Sequence, residues 1–232
     1  MPRAEKVMVE LNRWLRFALC AGVLFAACDS SKADKDKPTN TDKAGAGGRA
    51  SGGAGAGATA EPLRFVGEVE DSDARVAVVT GAGKLRLFFC GGADSVAEAT
   101  HWFNLDVADD GVVEIDASPW KVSANVGADG VSGEVTRDDG VLRKFAAAPV
   151  VKGTLAGLYE GTADCGRLGL IVAQPSKGGP INAQGACVGE GHVPEQVNPI
   201  LPVAQDNGRI PVMTPEDEAA TSLLQPAALT PL

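Results

Sequence analysis

From residue 63 onward the chain alternates between apolar and polar positions. In "KLRLFFC" (84–90), Leu85, Leu87 and Phe89 share one face while Lys84, Arg86 and Phe88 share the other. "RVAVVT" (75–80) precedes it across Gly81-Ala82-Gly83. "VVEI" (112–115) follows Asp109-Asp110-Gly111, and "WKVSANV" (120–126) puts Trp120, Val122, Ala124 and Val126 on one face. Asp129-Gly130 leads into "VSGEVT", and Asp139-Gly140 leads into "VLRKF". Later runs are "LAGLYEG" (155–161), "RLGLIVA" (167–173) and "PINAQGACV" (180–188), and Asn207-Gly208 joins "ILPVA" to "RIPVM". A period of two bounded by frequent turn signals predicts β-strands, and Asp-Gly suits tight hairpins because their turns need φ > 0. The pattern predicts an all-β domain, an antiparallel β-barrel or sandwich built from consecutive hairpins, over residues 63–213. One or two short helices are expected. "SVAEATHWF" (95–103) opens with Ser95 and Glu98 at capping-box spacing, and "TPEDEAATSLL" (214–224) has Thr214 as a cap, Pro215 at the first helical position and acids in the first turn. The C-terminal segment 214–232 is read as a short helix and tail. About 150 residues are enough for one hydrophobic core.

The first 62 residues follow other rules. Arg3, Lys6, Arg13 and Arg16 precede an uncharged run from Phe17 to Ala27, eleven residues long. A membrane-spanning helix needs about 20 apolar residues, so this length with basic N-terminal flanks reads as the core of a signal peptide, residues 1–27. Leu24-Phe25-Ala26-Ala27-Cys28 resembles the lipobox of bacterial lipoproteins: a large apolar residue, two small ones, then the cysteine that is lipidated. Phe25 stands where that family usually has Leu. The resemblance implies a diacylglycerol thioether on Cys28, and two or more acyl chains hold a protein stably at a membrane. Asp29 resembles a retention signal for the inner membrane of enteric bacteria, a rule that varies between groups, so the choice of membrane stays open.

Residues 28–62 then form a tether. "SSKADKDKPTNTDK" is polar, and "AGAGGRASGGAGAGATAEP" is mostly Gly and Ala. No apolar face exists at either period, so nothing offsets the entropy of ordering it. A Gly-rich coil of this length has a root-mean-square span of roughly 30–35 Å.

Cys20 leaves with the signal peptide, which leaves Cys90, Cys165 and Cys187 in the exported domain. Disulfides persist in oxidising compartments. Cys165 and Cys187 flank a hairpin whose turn falls near Ser176-Lys177-Gly178-Gly179, and their midpoint is residue 176, so they are expected about opposite each other. Facing residues lie within disulfide range. The expected bridge is Cys165–Cys187, with Cys90 buried and free.

Motifs that carry chemistry are scarce. The two histidines, His101 and His192, form no His-x-x-x-His pair, and no close cysteine pairs suit zinc. No Gly-x-Ser-x-Gly elbow, phosphate loop or dinucleotide fingerprint occurs, so no catalytic residue, metal site or cofactor is assigned. "DVADDGVVEID" (106–116) is acidic enough for calcium but places Ala108 and Ala117 at ligand positions of the EF-hand template, and it reads as a turn with solvated acids. Glu70, Asp71 and Asp73 read the same way. From Leu63 on, 12 Lys and Arg stand against 23 Asp and Glu, a net charge of −11. That balance argues against nucleic acid and against docking on anionic lipid, and it favours solubility or a basic partner.

"RLFFCGG", "GLYE" followed by "GRLGLIV", and "VNPILPV" resemble pieces of uncharacterised β-rich exported proteins of high-GC bacteria. That resemblance implies an all-β domain and brings no activity. "DARVAVVT…CGG" and "CGRLGLIVA…CVG" also echo one another within the chain. The expectation for function is a lipid-anchored extracytoplasmic binding or envelope-interaction module. It would sit in the bacterial cell envelope, on the periplasmic face of the inner or outer membrane or at the cell surface, with the membrane and an envelope protein or basic protein as partners. The alternative is an inhibitor of an extracytoplasmic hydrolase, since the membrane-bound lysozyme inhibitors are small β-barrel lipoproteins with a disulfide. A hydrolase is the third reading and would require His101 or His192 beside a nucleophile or carboxylate.

Overall fold

The computed structural model describes residues 61–108, 110–137, 139–214 and 221–229. The expected signal peptide, the lipidation site Cys28 and the tether up to residue 60 lie outside the described residues.

The chain is all-β, and it builds two β bodies where one core was expected. The first contains β1 (Leu63–Val69), β2 (Arg75–Gly81), β3 (Lys84–Cys90), β4 (His101–Asp106), β5 (Val112–Ala117), β6 (Trp120–Val126), β7 (Val131–Thr136) and β8 (Leu142–Pro149). They form one antiparallel sheet in the order β4-β3-β2-β1-β8-β7-β6-β5. β1 is the hinge of the topology, pairing with β2 on one side and β8 on the other. Every strand contributes to one core, from Phe103 of β4 to Val113 and Ile115 of β5, so the sheet curls over its own apolar face into a half-barrel. β4 and β5 do not pair and leave a seam.

The second body is a closed six-stranded barrel of β9 (Gly157–Ala163), β10 (Gly166–Ala173), β11 (Asn182–Val188), β12 (Glu195–Pro199), β13 (Ile210–Met213) and β14 (Thr221–Pro226). Tyr159, Leu168, Leu170, Val172, Val197, Ile210, Val212 and Leu224 fill it. Closure removes every sheet edge, which is how a small sheet avoids an exposed ladder of unpaired amides.

A third apolar cluster joins the bodies: Ala77, Val79, Phe88 and Cys90 from the outside of the half-barrel, with Leu158, Ile171, Ala186 and Ala227 from the barrel. Strands β2, β3 and β10 are therefore buried on both faces. Strands covered on both sides read as continuous apolar runs rather than alternations, which accounts for "VAVV", "LFFC" and "LGLIV". The internal echo has the same cause, because the two hairpins that look alike are the two that press against each other. Gly169 of β10 sits where a Cβ would come within 2.6 Å of both the Phe88 and Trp102 rings.

Polar side chains cross the same junction. Glu160 of β9 accepts from the guanidinium of Arg86 on β3 and from Arg167 Nη2 on β10 at 2.8 Å. Arg86 Nε also donates to Asn104 Oδ1 at 3.1 Å. The Arg167 guanidinium lies 3.7 Å from the centroid of Trp102, whose other neighbour, Phe88, stacks at 4.1 Å. The Trp102 indole N–H is buried without an acceptor. Ring stacking and the cation–π contact, each contributing about 0.5–1.5 kcal/mol, offset that loss.

Several expected elements are corrected. The helix expected over 95–103 is one turn, α1 (Val96–Ala99), and His101-Trp102-Phe103 begin β4. Ser95 makes no side-chain cap bond to α1, because its hydroxyl donates to Asp73 instead. Of the helix expected over 214–224, residues 215–220 lie outside the described residues, and 221–224 belong to strand β14, whose Leu224 is fully buried and whose pairing with β9 closes the barrel, so the β structure runs past 213 to Pro226. "ILPVA" (200–204) is not a strand; β12 lies just before it, with Val197 pointing into the core. Pro199 and Pro202 lack the amide donors that a continued ladder would use.

Candidate functional site

A cleft of about 290 Å³ opens at one end of the half-barrel. The β1–β2 turn, the β3–α1 connection, the start of β6 and the β7–β8 turn meet there. All are odd-to-even connections, which an up-and-down meander places at one end. The chain enters β1 at Leu63 and reaches the cleft at Val69, so the segment from the N-terminus joins the opposite end of the sheet.

The floor is aromatic and buried. Phe89 stacks on Trp120 at 5.7 Å between centroids, and Trp120 also meets His101 at 5.4 Å and Phe103 at 5.9 Å. These rings fill the interior, so the cleft is a shallow seat on a packed core. Val69, Ala74, Ala99 and Val135 form its apolar wall.

The rim is charged. Arg137 lies over Trp120 with Cζ 5.6 Å from the ring centroid and pairs with Glu98 at 3.8 Å. Arg143 pairs with Asp139 at 3.0 Å. The backbone amide of Val141, and then Arg143, hold the Asp139 carboxyl below its ordinary value. Asp71, Asp73 and Asp94 complete the rim.

Asp73 organises the β3–α1 connection. Its carboxylate accepts from the Ser95 hydroxyl and from the Asp94 amide at 3.0 Å. Partial burial pushes this carboxyl upward, but the Ser95 hydroxyl and the amides of Asp94 and Gly92 outweigh it and hold the group below its ordinary value. Gly92 is required for that approach, since a Cβ there would stand 2.5 Å from Asp73 Oδ2. Asp73 is therefore more than the solvated turn acid expected, because its carboxylate joins the β1–β2 turn to the β3–α1 connection. The Asp71-Ser72-Asp73 run gives no sign of the contact that Asp73 makes with Ser95, 22 residues on.

Other candidates fall elsewhere. Cys165 and Cys187 form a disulfide with Cα atoms 6.1 Å apart, as the spacing predicted. They are not opposite each other, because the register pairs Leu168 with Cys187. Cys165 lies on the two-residue turn between β9 and β10, and the bridge ties that turn to β11. Cys90 is free and buried, and burial pushes its thiol up to about 12, so it is a thiol in its surroundings. His101 is partly buried between Phe103 and Trp120, and burial holds its pKa below the ordinary value. His192 is exposed in the turn after β11. Among the described residues neither ring has a carboxylate or hydroxyl hydrogen-bond partner. In the acidic run 106–116, Asp106 pairs with Lys84 and Asp110 caps its own turn through Val112 N at 3.0 Å. Among the described residues no three His, Cys, Asp or Glu side chains are grouped to hold a metal ion.

No protein-family model, no curated protein and no solved structure matches this chain.

Proposed function

We propose that this protein is a lipid-anchored extracytoplasmic binding module, held by Cys28 and receiving its ligand in the cleft of the half-barrel. The observation that carries the reading is the position of the cleft: an apolar seat with a charged rim, at the end of the sheet opposite the point where the chain enters. A tether anchored through a lipid on Cys28 would then enter the domain at the end of the sheet away from the cleft. The Cys165–Cys187 disulfide supports an oxidising compartment.

The test compares the full chain with a Cys28→Ser variant in native envelopes. Intact mass should show acyl additions on the wild type alone, and only the wild type should stay with washed membranes. Cross-linking from a photoreactive residue placed at Glu98 should then capture a stoichiometric partner or ligand. Equal fractionation of both chains without added acyl mass would overturn the anchor. Capture of a basic hydrolase with loss of its activity would favour the inhibitor alternative.

A further inference from the structure

We propose that the cleft is built for an organic cation, a ligand whose apolar group rests against the wall of Val69, Ala74, Ala99 and Val135 while its ammonium or guanidinium is held by the rim carboxylates. This rests on the reading of the cleft as a binding site and adds the chemistry of what enters it.

Three observations lead there. First, the rim is unbalanced. Five carboxylates face two guanidiniums, and both guanidiniums already have partners in Glu98 and Asp139. Asp71 and Asp94 are exposed, and their carboxylates make no hydrogen bond or ion pair among the described residues. Second, the cleft already holds a cation of this class, since Arg137 rests over the Trp120 ring. An aromatic face attracts an adjacent cation, most strongly where water is partly excluded. Third, the carboxylates are spread around an apolar wall and are not gathered into a metal-ligating group. Spread charge over an apolar surface suits a large, weakly hydrated cation on a carbon frame better than a compact metal ion. A volume of about 290 Å³ fits one aromatic or aliphatic amine, or one side chain of a basic polypeptide, but not an extended chain.

The full chain carrying Cys28→Ser is titrated with phenethylamine, with the neutral phenethyl alcohol, and with a hexapeptide alternating lysine and phenylalanine. The readouts are calorimetry and the Trp120 indole N–H resonance. The amine should bind roughly tenfold more tightly than the alcohol at about 20 mM salt, and the difference should shrink as salt rises. The double variant Asp71→Asn, Asp94→Asn should bring amine and alcohol within about twofold of each other. Asparagine tolerates the left-handed backbone at residue 71, where φ is 51°, so the variant keeps the turn. A peptide that binds more tightly than the amine identifies a polypeptide source, and an amine that binds while the peptide does not identifies a small molecule. Equal binding of amine and alcohol in the wild type would overturn the cation assignment and leave the binding cleft standing. No shift of the Trp120 resonance with any of the three, up to millimolar concentration, would overturn both.

Discussion

Glu160→Gln tests how the two β bodies are joined. The substitution keeps the shape of the side chain and removes its charge at the junction. Arg86, its partner on β3, has a side chain only 8% exposed, while Arg167 is 29% exposed. Removing one partner of a buried ion pair costs about 3–5 kcal/mol, because the remaining charge is left desolvated. Arg86 keeps its bond to Asn104 and glutamine can still accept one hydrogen bond, which brings its share down to about 2–3 kcal/mol. The more exposed Arg167 adds about 0.5 kcal/mol after solvent screening. Urea unfolding followed by tryptophan fluorescence should therefore show a loss of about 3 kcal/mol, with Arg167→Gln losing about 1 kcal/mol or less. A loss below about 1 kcal/mol for Glu160→Gln would show that water screens the triad like a surface pair, and would refute the reasoning.

Three further outcomes are expected. Replacing Cys165 and Cys187 together by alanine should destabilise the chain by about 3 kcal/mol through the released 22-residue separation, read as a lower urea midpoint that reducing agent no longer changes. Gly169→Ala should cost about 1–3 kcal/mol by wedging a methyl group against Phe88 and Trp102, and should move the Trp102 indole resonance; an unmoved resonance would place the rings elsewhere. His101 has a folded pKa below its unfolded value, so the unfolded chain takes up the proton first as pH falls. Its contribution to stability is present above about pH 6.5 and is lost as pH drops through that value toward the folded pKa. His101→Gln should flatten the decline in urea stability between about pH 7.5 and pH 5, and identical slopes in both chains would exclude burial as the cause.

Local pattern exposed much of the β structure. "KLRLFFC" and "WKVSANV" became β3 and β6 over the residues expected, because one face of each meets a core and the alternation records it. Tight turns were equally visible, as at Asn207 and Gly208, where both φ angles are positive. The errors fell where local propensity and tertiary position disagree. Ser95 and Glu98 have helix-start spacing, yet Thr100 to Phe103 leave the helix because Phe103 fills the core between His101 and Trp120. Similarly, Thr221 to Leu224 close a stretch with a helix-start pattern, but they belong to β14, and Leu224 is the side chain it delivers into the barrel.

The sequence by itself determined that this is a β protein of consecutive hairpins with a disulfide between Cys165 and Cys187. Those properties depend on near neighbours: alternation, turn residues and a hairpin-sized cysteine separation. Tertiary structure alone decided that the strands divide into a half-barrel and a closed barrel, that Glu160 joins them, and that the Asp73 turn and Arg137 meet over Trp120. Each of these depends on which faces find each other across tens of residues, and side-chain periodicity records only that a face is buried, not what buries it.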